Sequence, residues 1–290
     1  MILNLGTASR VMWLANVRSV PYRERIEATA RAGFGCISTS PRDYEKTRAS
    51  GLSDADIRAI AADNGVRLSY LDPFATWVPE GISPDEDPGI VPYLDTTPDE
   101  FFRIAEALRV DRLHFVGAYS LGRYATAELI DHFGAMCDRA AKEGLKCLIE
   151  GIAMWGLNRL DEAWAIVKGA ARPNTGIIFD TWHYTRVGRT DEVFAEIPPG
   201  TFDTVQIADG TLACPSGRTQ AEDCLFHRVP IGEGEIPNLD ILRLLKKHGH
   251  ITSVGPEIFS EVNDAIGTGE GICARVVPGF EAIMKKLDED

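Results

Sequence analysis

Short, nearly continuous apolar runs alternate along this chain with longer stretches in which apolar positions recur at helical spacing. The runs are Ile2–Gly6, Cys36–Thr39, Arg67–Leu71, Arg112–Val116, Lys146–Glu150, Gly176–Asp180, Thr204–Ala208 and Ser253–Glu257. Runs of this kind suit parallel strands buried on both faces. Between them the spacing predicts helices at Tyr22–Ala32, Ser53–Asp63, Pro98–Leu108, Ala125–Glu143, Arg159–Gly169, Leu239–His248 and Val262–Leu287. Pro21 opens the first, where a missing N–H costs nothing. Ser53 with Asp56 makes an N-cap and a near capping box for the second. Acids stand in the first turn of the third, where the helix dipole favours them. The segment Asp191–Glu196, cut short by Pro198 and Pro199, has the weakest helical pattern of the set.

Gly33, Gly65, Gly144 and Gly249 each fall just before a predicted strand, where helix C-caps are expected. Strand and helix thus alternate eight times, which favours a parallel sheet with helices outside it. Eight units in 290 residues match the count and size of a (β/α)8 TIM barrel. An open doubly wound sheet is the other arrangement such alternation allows. No linker or break in composition divides the chain, so residues 1–290 read as one domain. Two stretches exceed simple connections, Asp72–Thr97 after the third strand and Asp209–Asn238 after the seventh. In a barrel both lie at the C-terminal face, where sites are built.

Several predicted strands end in acids or amides. Glu150 closes the fifth, Asp180 the sixth and Glu257 the eighth, while Gln206 and Asp209 belong to the seventh. One acid after a strand more often caps a helix or faces water, and a lone Gln206 or His183 can be a satisfied core residue. The pattern on four consecutive strands is harder to explain that way, because in a barrel these ends converge on one mouth. Three carboxylates so close repel unless a cation compensates them. A divalent ion held by oxygens of Glu150, Asp180, Gln206 and Glu257 is the economical solution.

Composition narrows the partners. Lys and Arg number 30 and Asp and Glu 43, a formal net charge of −13. Phosphate backbones are bound through net positive charge, so nucleic acid is not an expected partner. No window holds an apolar run of membrane-spanning length, and the start lacks a basic region followed by an apolar run. Cys36, Cys137, Cys147, Cys214, Cys224 and Cys273 form no CxxC, and there is no N-x-[ST] site. These features lead us to expect reduced thiols and a cytoplasmic protein, with Cys214 and Cys224 the one pair placed for a metal or a disulfide.

The chain resembles the xylose-isomerase-like TIM-barrel superfamily, the sugar phosphate isomerase/epimerase group. The resemblance rests on Glu150, the Asp180-Thr181-Trp182-His183 segment, Val205 to Asp209, Arg228 to Ile236 and Pro256-Glu257. It implies a Mn²⁺, Mg²⁺ or Co²⁺ site with Glu150, Asp180 and Glu257 as ligands and His183 touching a substrate oxygen. The sugar epimerases usually carry His where this chain has Gln206. A Gln there resembles the related 3-dehydroshikimate dehydratases, and a neutral oxygen hardens the site toward Mg²⁺ or Mn²⁺.

In either group a base removes a proton beside a carbonyl whose oxygen is polarised by the metal. Glu150 and Glu257 are the expected base and acid, with His183 bonding the reacting oxygen or donating a proton. Arg228 is the expected partner of a substrate carboxylate or phosphate. Trp13, Tyr70, Phe74 and Trp77 are candidates to wall the pocket, and His114 and His227 to touch the substrate. The leading expectation is a metal-dependent isomerase or epimerase of a small polyhydroxylated ketone, which can assemble as a homo-oligomer. The alternative is a lyase that dehydrates a cyclic keto acid or an inosose. An abasic-site endonuclease of the same barrel type is disfavoured by −13 charge and six histidines. A non-catalytic barrel is the fourth reading, and absence of a bound divalent ion would favour it. The Gly267 to Gly271 pattern imitates a dinucleotide loop but follows no strand-to-helix turn.

Overall fold

The computed structural model describes residues 5–289. The first half of the barrel is β1 (Val11–Met12), α1 (Leu14–Val17), α2 (Tyr22–Arg31), β2 (Cys36–Thr39), α3 (Pro41–Ala49), α4 (Asp54–Asp63), β3 (Arg67–Phe74), α5 (Pro98–Leu108) and β4 (Arg112–Val116). The second half is α6 (Thr126–Ala141), β5 (Lys146–Glu150), α7 (Leu160–Ala170), β6 (Thr175–Asp180), α8 (Thr181–Arg186), β7 (Phe202–Ile207), α9 (Gln220–Phe226), α10 (Asn238–Lys247), β8 (Val254–Pro256), α11 (Glu261–Ile266) and α12 (Gly269–Glu289). Each strand pairs in parallel with the next, in the order β1 to β8. A parallel bridge between Arg10 and Val254 brings the last strand to the first. Gly255 permits that approach, since a Cβ there would lie 1.8 Å from the Val11 carbonyl oxygen. The fold is therefore the expected (β/α)8 TIM barrel.

Five corrections to the predicted elements have physical causes. The first strand is not at Ile2–Gly6. Residues 2–4 of that run lie outside the described residues, Leu5 and Gly6 are loop, and β1 is the buried Val11–Met12 pair. The helix α3 was not predicted because it is largely polar and buries only Pro41, Tyr44 and Thr47. Its start signals are nonetheless present, with Ser40 capping Asp43 N–H and Pro41 in the first turn. The Asp191–Glu196 segment is a 3₁₀ turn, Asp191–Ala195. The predicted last helix breaks at Gly267, whose φ of 70° ends α11 before α12 begins. Three short helices, α1, α8 and α9, occupy stretches with no helical forecast. The four predicted C-cap glycines all have positive φ, and Ser53 with Asp56 forms a complete capping box.

The period-two alternation of strands sorts side chains into two cores. Trp13, Tyr70, Leu148 and Ile178 pack together inside the barrel with Val11 and Cys36. Intervening residues such as Phe115, Ile149, Phe179 and Val205 face the helices in the main core. The connections after β3 and β7, residues 75–97 and 208–237, are the long ones. No helix among the described residues is long and apolar enough to cross a membrane.

Candidate active site

The same alternation that points Leu148 and Ile178 inward points Glu150 and Asp180 inward one step higher, at the C-terminal ends of β5 and β6. Register sets Asp180 beside Gln206, and Gln206 beside Gly255. Every polar residue of the cluster is buried, with Glu150, Asp180, His183, Gln206, Arg228 and Glu257 at 5% exposure or less. Asp180 is also the N-cap of α8, its Oδ1 accepting from Trp182 N–H at 2.6 Å and His183 N–H at 2.9 Å. That cap aims His183 into the cluster. Glu150, Asp180 and His183 each offer a ligand atom, and these atoms lie within 4.8 Å of one another.

Glu257 stands outside that triad. Its Oε1 accepts from Gln206 Nε2 at 2.7 Å, and its Oε2 lies 3.4 Å from Arg228 Nη1. Asn16, a residue the sequence did not single out, clamps this strand end. Its Nδ2 donates to Pro256 O at 2.6 Å and its Oδ1 accepts from Ile258 N–H at 2.9 Å. Both backbone neighbours of Glu257 are thereby held.

Arg228 occupies the middle of the acids. Nη1 donates to Asp180 Oδ2 at 2.7 Å, and Nη2 lies 3.0 Å from His183 Nε2 and 3.2 Å from Cys224 Sγ. The guanidinium lies over the Trp182 and Phe259 rings, 4.9 and 5.3 Å from their centroids. Arg228 is thus committed to the acids through Nη1, while its Nη2 and Nε face groups that carry no formal negative charge. Cys224 is a second residue the sequence did not bring here. It is not paired with Cys214, all six cysteines being free thiols. The helical spacing of Cys224 and Arg228 in the sequence was the signal available, and Cys224 O accepts from Arg228 Nε.

His114 stands with both ring nitrogens against carboxylates, Nε2 2.7 Å from Glu150 Oε2 and Nδ1 2.8 Å from Asp72 Oδ1. Neither contact is a well-aligned hydrogen bond, so the attraction is mainly one of charge. Trp13 packs edge-on against the His114 ring, 6.3 Å between centroids.

Other candidates lie elsewhere. Tyr70 turns toward the N-terminal end of the barrel, where its hydroxyl donates to Asp203 Oδ2 at 3.0 Å beside Arg112. It therefore plugs the barrel bottom rather than lining the mouth. Phe74 stacks on Phe101 at 4.4 Å, and Trp77 packs among Phe115, Tyr119 and Phe133 while donating to Val116 O. Both belong to the core outside the barrel. His227 is partly exposed and 3.6 Å from Glu261. Asp209 accepts three backbone N–H bonds, from Gly210, Gly232 and Ile236, and so ties down the turn after Arg228.

Burial and charge divide the proton affinities. Burial pushes the Glu150 carboxyl up to about 7, with His114 offsetting part of the rise. Burial likewise raises Glu257 well above the usual carboxylate range, although Arg228 opposes it. Burial acts on Asp180 too, but there Arg228, His183 and the backbone N–H groups outweigh it and hold the carboxyl low. Burial would strip the proton from His114, yet Asp72 and Glu150 keep its pKa at about 10. His183 has no such support: burial drives it to about 3, despite Asp180, so its imidazole is neutral. This separation of affinities among neighbours is what acid–base chemistry needs.

A cleft of about 380 Å³ lies beside the cluster, lined by Glu86, Trp155, Ala153, Thr219 and Gln220 among others. Ala153 N–H reaches through its wall to His183 Nδ1 at 3.2 Å. Asp223 of α9 pairs with Arg186 of α8 and with Arg218, fixing α9 over His183 and Arg228.

A barrel whose strand ends converge on acids, an amide and a histidine defines a class. The chain belongs to the xylose isomerase-like TIM barrel family, whose model matches residues 26–274. Two relatives are 3-dehydroshikimate dehydratases. The chain is 28% identical to that of Pseudomonas aeruginosa over 194 residues, 65% of this chain and 29% of the relative. It is 26% identical to that of Pseudomonas putida over 243 residues, 82% of this chain and 36% of the relative. The chain thus spans about a third of the length of these relatives. Among solved structures, the IOLI protein with a bound zinc atom superposes with a TM-score of 0.78 at 17% identity, covering 96% of this chain and 99% of that one. At that identity the likeness is one of fold.

Proposed function

We propose that the protein is a divalent-metal-dependent lyase that removes water from a small cyclic keto acid of the 3-dehydroshikimate type. The observation that carries this reading is the donor set. Gln206 stands beside Asp180 in register, and its amide oxygen is buried without a partner, as is Glu150 Oε1. Buried oxygens without donors favour a cation. Glu150, Asp180 and His183 would hold the ion, with the free amide oxygen of Gln206 on the following strand. Such an ion polarises a carbonyl and stabilises charge that develops on its oxygen. The names of the two Pseudomonas relatives, and the glutamine where the sugar epimerases usually carry histidine, favour dehydration over the isomerase or epimerase reading.

Within that reading Glu150, with its pKa near neutrality, takes the proton from the carbon beside the carbonyl. Glu257, raised by burial, gives a proton to the departing β-hydroxyl. One C–H and one C–O bond break, a C=C bond forms, and water leaves. Arg228, fully buried with Nη1 on Asp180 and Nη2 against His183 and Cys224, balances the charge of the acids from behind and presents no free edge to a substrate carboxylate. The buried cluster keeps bulk water from the reacting carbons.

The test is mass analysis of the product after incubation of Mn²⁺-loaded protein with 3-dehydroshikimate. Loss of one water is expected. A product of unchanged mass would return the protein to the isomerases, and neither turnover nor metal binding would leave the non-catalytic barrel.

A further inference from the structure

Asp72, His114 and Glu150 come from three consecutive strands, β3, β4 and β5, and all face the barrel interior. Leu71 pairs with Leu113, which sets Asp72 level with His114. His114 pairs with Leu148, and Glu150 is the next inward residue above Leu148. The imidazole therefore spans the step between the two acids, 2.8 Å from Asp72 and 2.7 Å from Glu150. Filling the barrel does not require this. One inward step below, the apolar Leu148 and Ile178 do that work, and buried charges are a poor substitute for packing. The two Glu150 oxygens differ as a result. Oε2 faces His114, while Oε1 has no partner at all. Trp13 against one side of the His114 ring limits its rotation.

We propose that His114, backed by Asp72, is the positioning residue that decides which oxygen of Glu150 works: it occupies Oε2 and leaves Oε1 as the free oxygen that meets the ion and the reacting proton. The inference rests on the metal-site reading above. It gives Asp72 a role that its loop position in the sequence did not suggest. It also makes His114 a partner of the protein's own carboxylate rather than of the substrate. A group that orients a ligand in this way commonly contributes about 10–100-fold in metal affinity.

The experiment is titration of chelator-treated protein with Mn²⁺, following the free ion by electron paramagnetic resonance, with circular dichroism and thermal unfolding to check the fold. His114→Leu removes both contacts and should weaken Mn²⁺ binding by about 10–100-fold. His114→Gln keeps a polar group beside Glu150 but not the charge, and should recover only part of that loss, which a purely space-filling role would not produce. Asp72→Asn, at a partly exposed side chain, tests the backing without emptying the core and should weaken binding by a smaller factor. Should His114→Leu not fold, the Gln and Asn variants carry the test alone. Wild-type affinity in the His114 and Asp72 variants, with binding abolished in Glu150→Gln, would overturn the positioning role and leave the proposed function standing. Wild-type protein that binds no Mn²⁺ would overturn both.

Discussion

At the scale of single residues, the site holds its chemistry at a cost to stability. Glu257 is buried with its carboxyl raised, so at neutral pH its ionised form is less stable folded than free. Glu257→Gln should therefore abolish turnover while leaving the chelator-treated protein equally or more heat-stable, as thermal unfolding would show. Asn16→Ala should do the opposite to the fold. It strands Pro256 O and Ile258 N, at about 1–3 kcal/mol for a buried polar group left unpaired, measurable by urea unfolding. Away from the site, His250 is buried against Phe202 and its pKa is lowered by burial. A histidine with a depressed folded pKa contributes fully above its unfolded value, about 6.5, and that stability is lost as pH falls below it. His250→Asn should flatten the decline in melting temperature between neutral and mildly acid pH, and a slope equal to the wild type would remove His250 from that role.

At the scale of elements, α9 is the part of the long β7 connection that covers the cluster. Its Asp223 pairs with the buried Arg186 of α8 and with Arg218, and its Cys224 lies against Arg228. Asp223→Ala leaves Arg186 buried without its acid. Breaking such a pair costs about 3–5 kcal/mol, and the loop at residues 211–219 should become the first site of proteolytic cleavage. Neither α8 nor α9 was legible in the sequence. They are six and seven residues long and carry too few apolar positions for a period to emerge. The strands were legible because burial on both faces makes them continuously apolar. The exception is β1, where two residues are too few to stand out.

At the scale of the whole molecule, the barrel brings residues as far as 240 positions apart in sequence, Asn16 and Pro256, together at one buried cluster. A ligand that binds this assembled cluster binds only the folded chain, so it must stabilise the chain as a whole. Saturating Mn²⁺ at about 100 times its dissociation constant should add about 2.7 kcal/mol to unfolding, and chelation should reverse the rise in melting temperature. The closure at Gly255 is equally global. Any side chain there meets the Val11 carbonyl at 1.8 Å, so Gly255→Val should open the seam between β8 and β1 and lower the cooperativity of unfolding.

The sequence by itself determined the barrel, its parallel strand order and the inward acids, because strand periodicity dictates which residues share a face and strand ends dictate which residues share a mouth. It named Glu150, Asp180, Gln206, Glu257, His183 and Arg228 for that reason. Only the tertiary structure decided their partners. That Arg228 spends one nitrogen on Asp180, that Tyr70 points to the barrel floor, and that Asp72, Asn16 and Cys224 join the site all depend on distances between separate strands and loops. Periodicity orders residues along one element. It carries no information about how far an arginine from one loop reaches toward an acid on another.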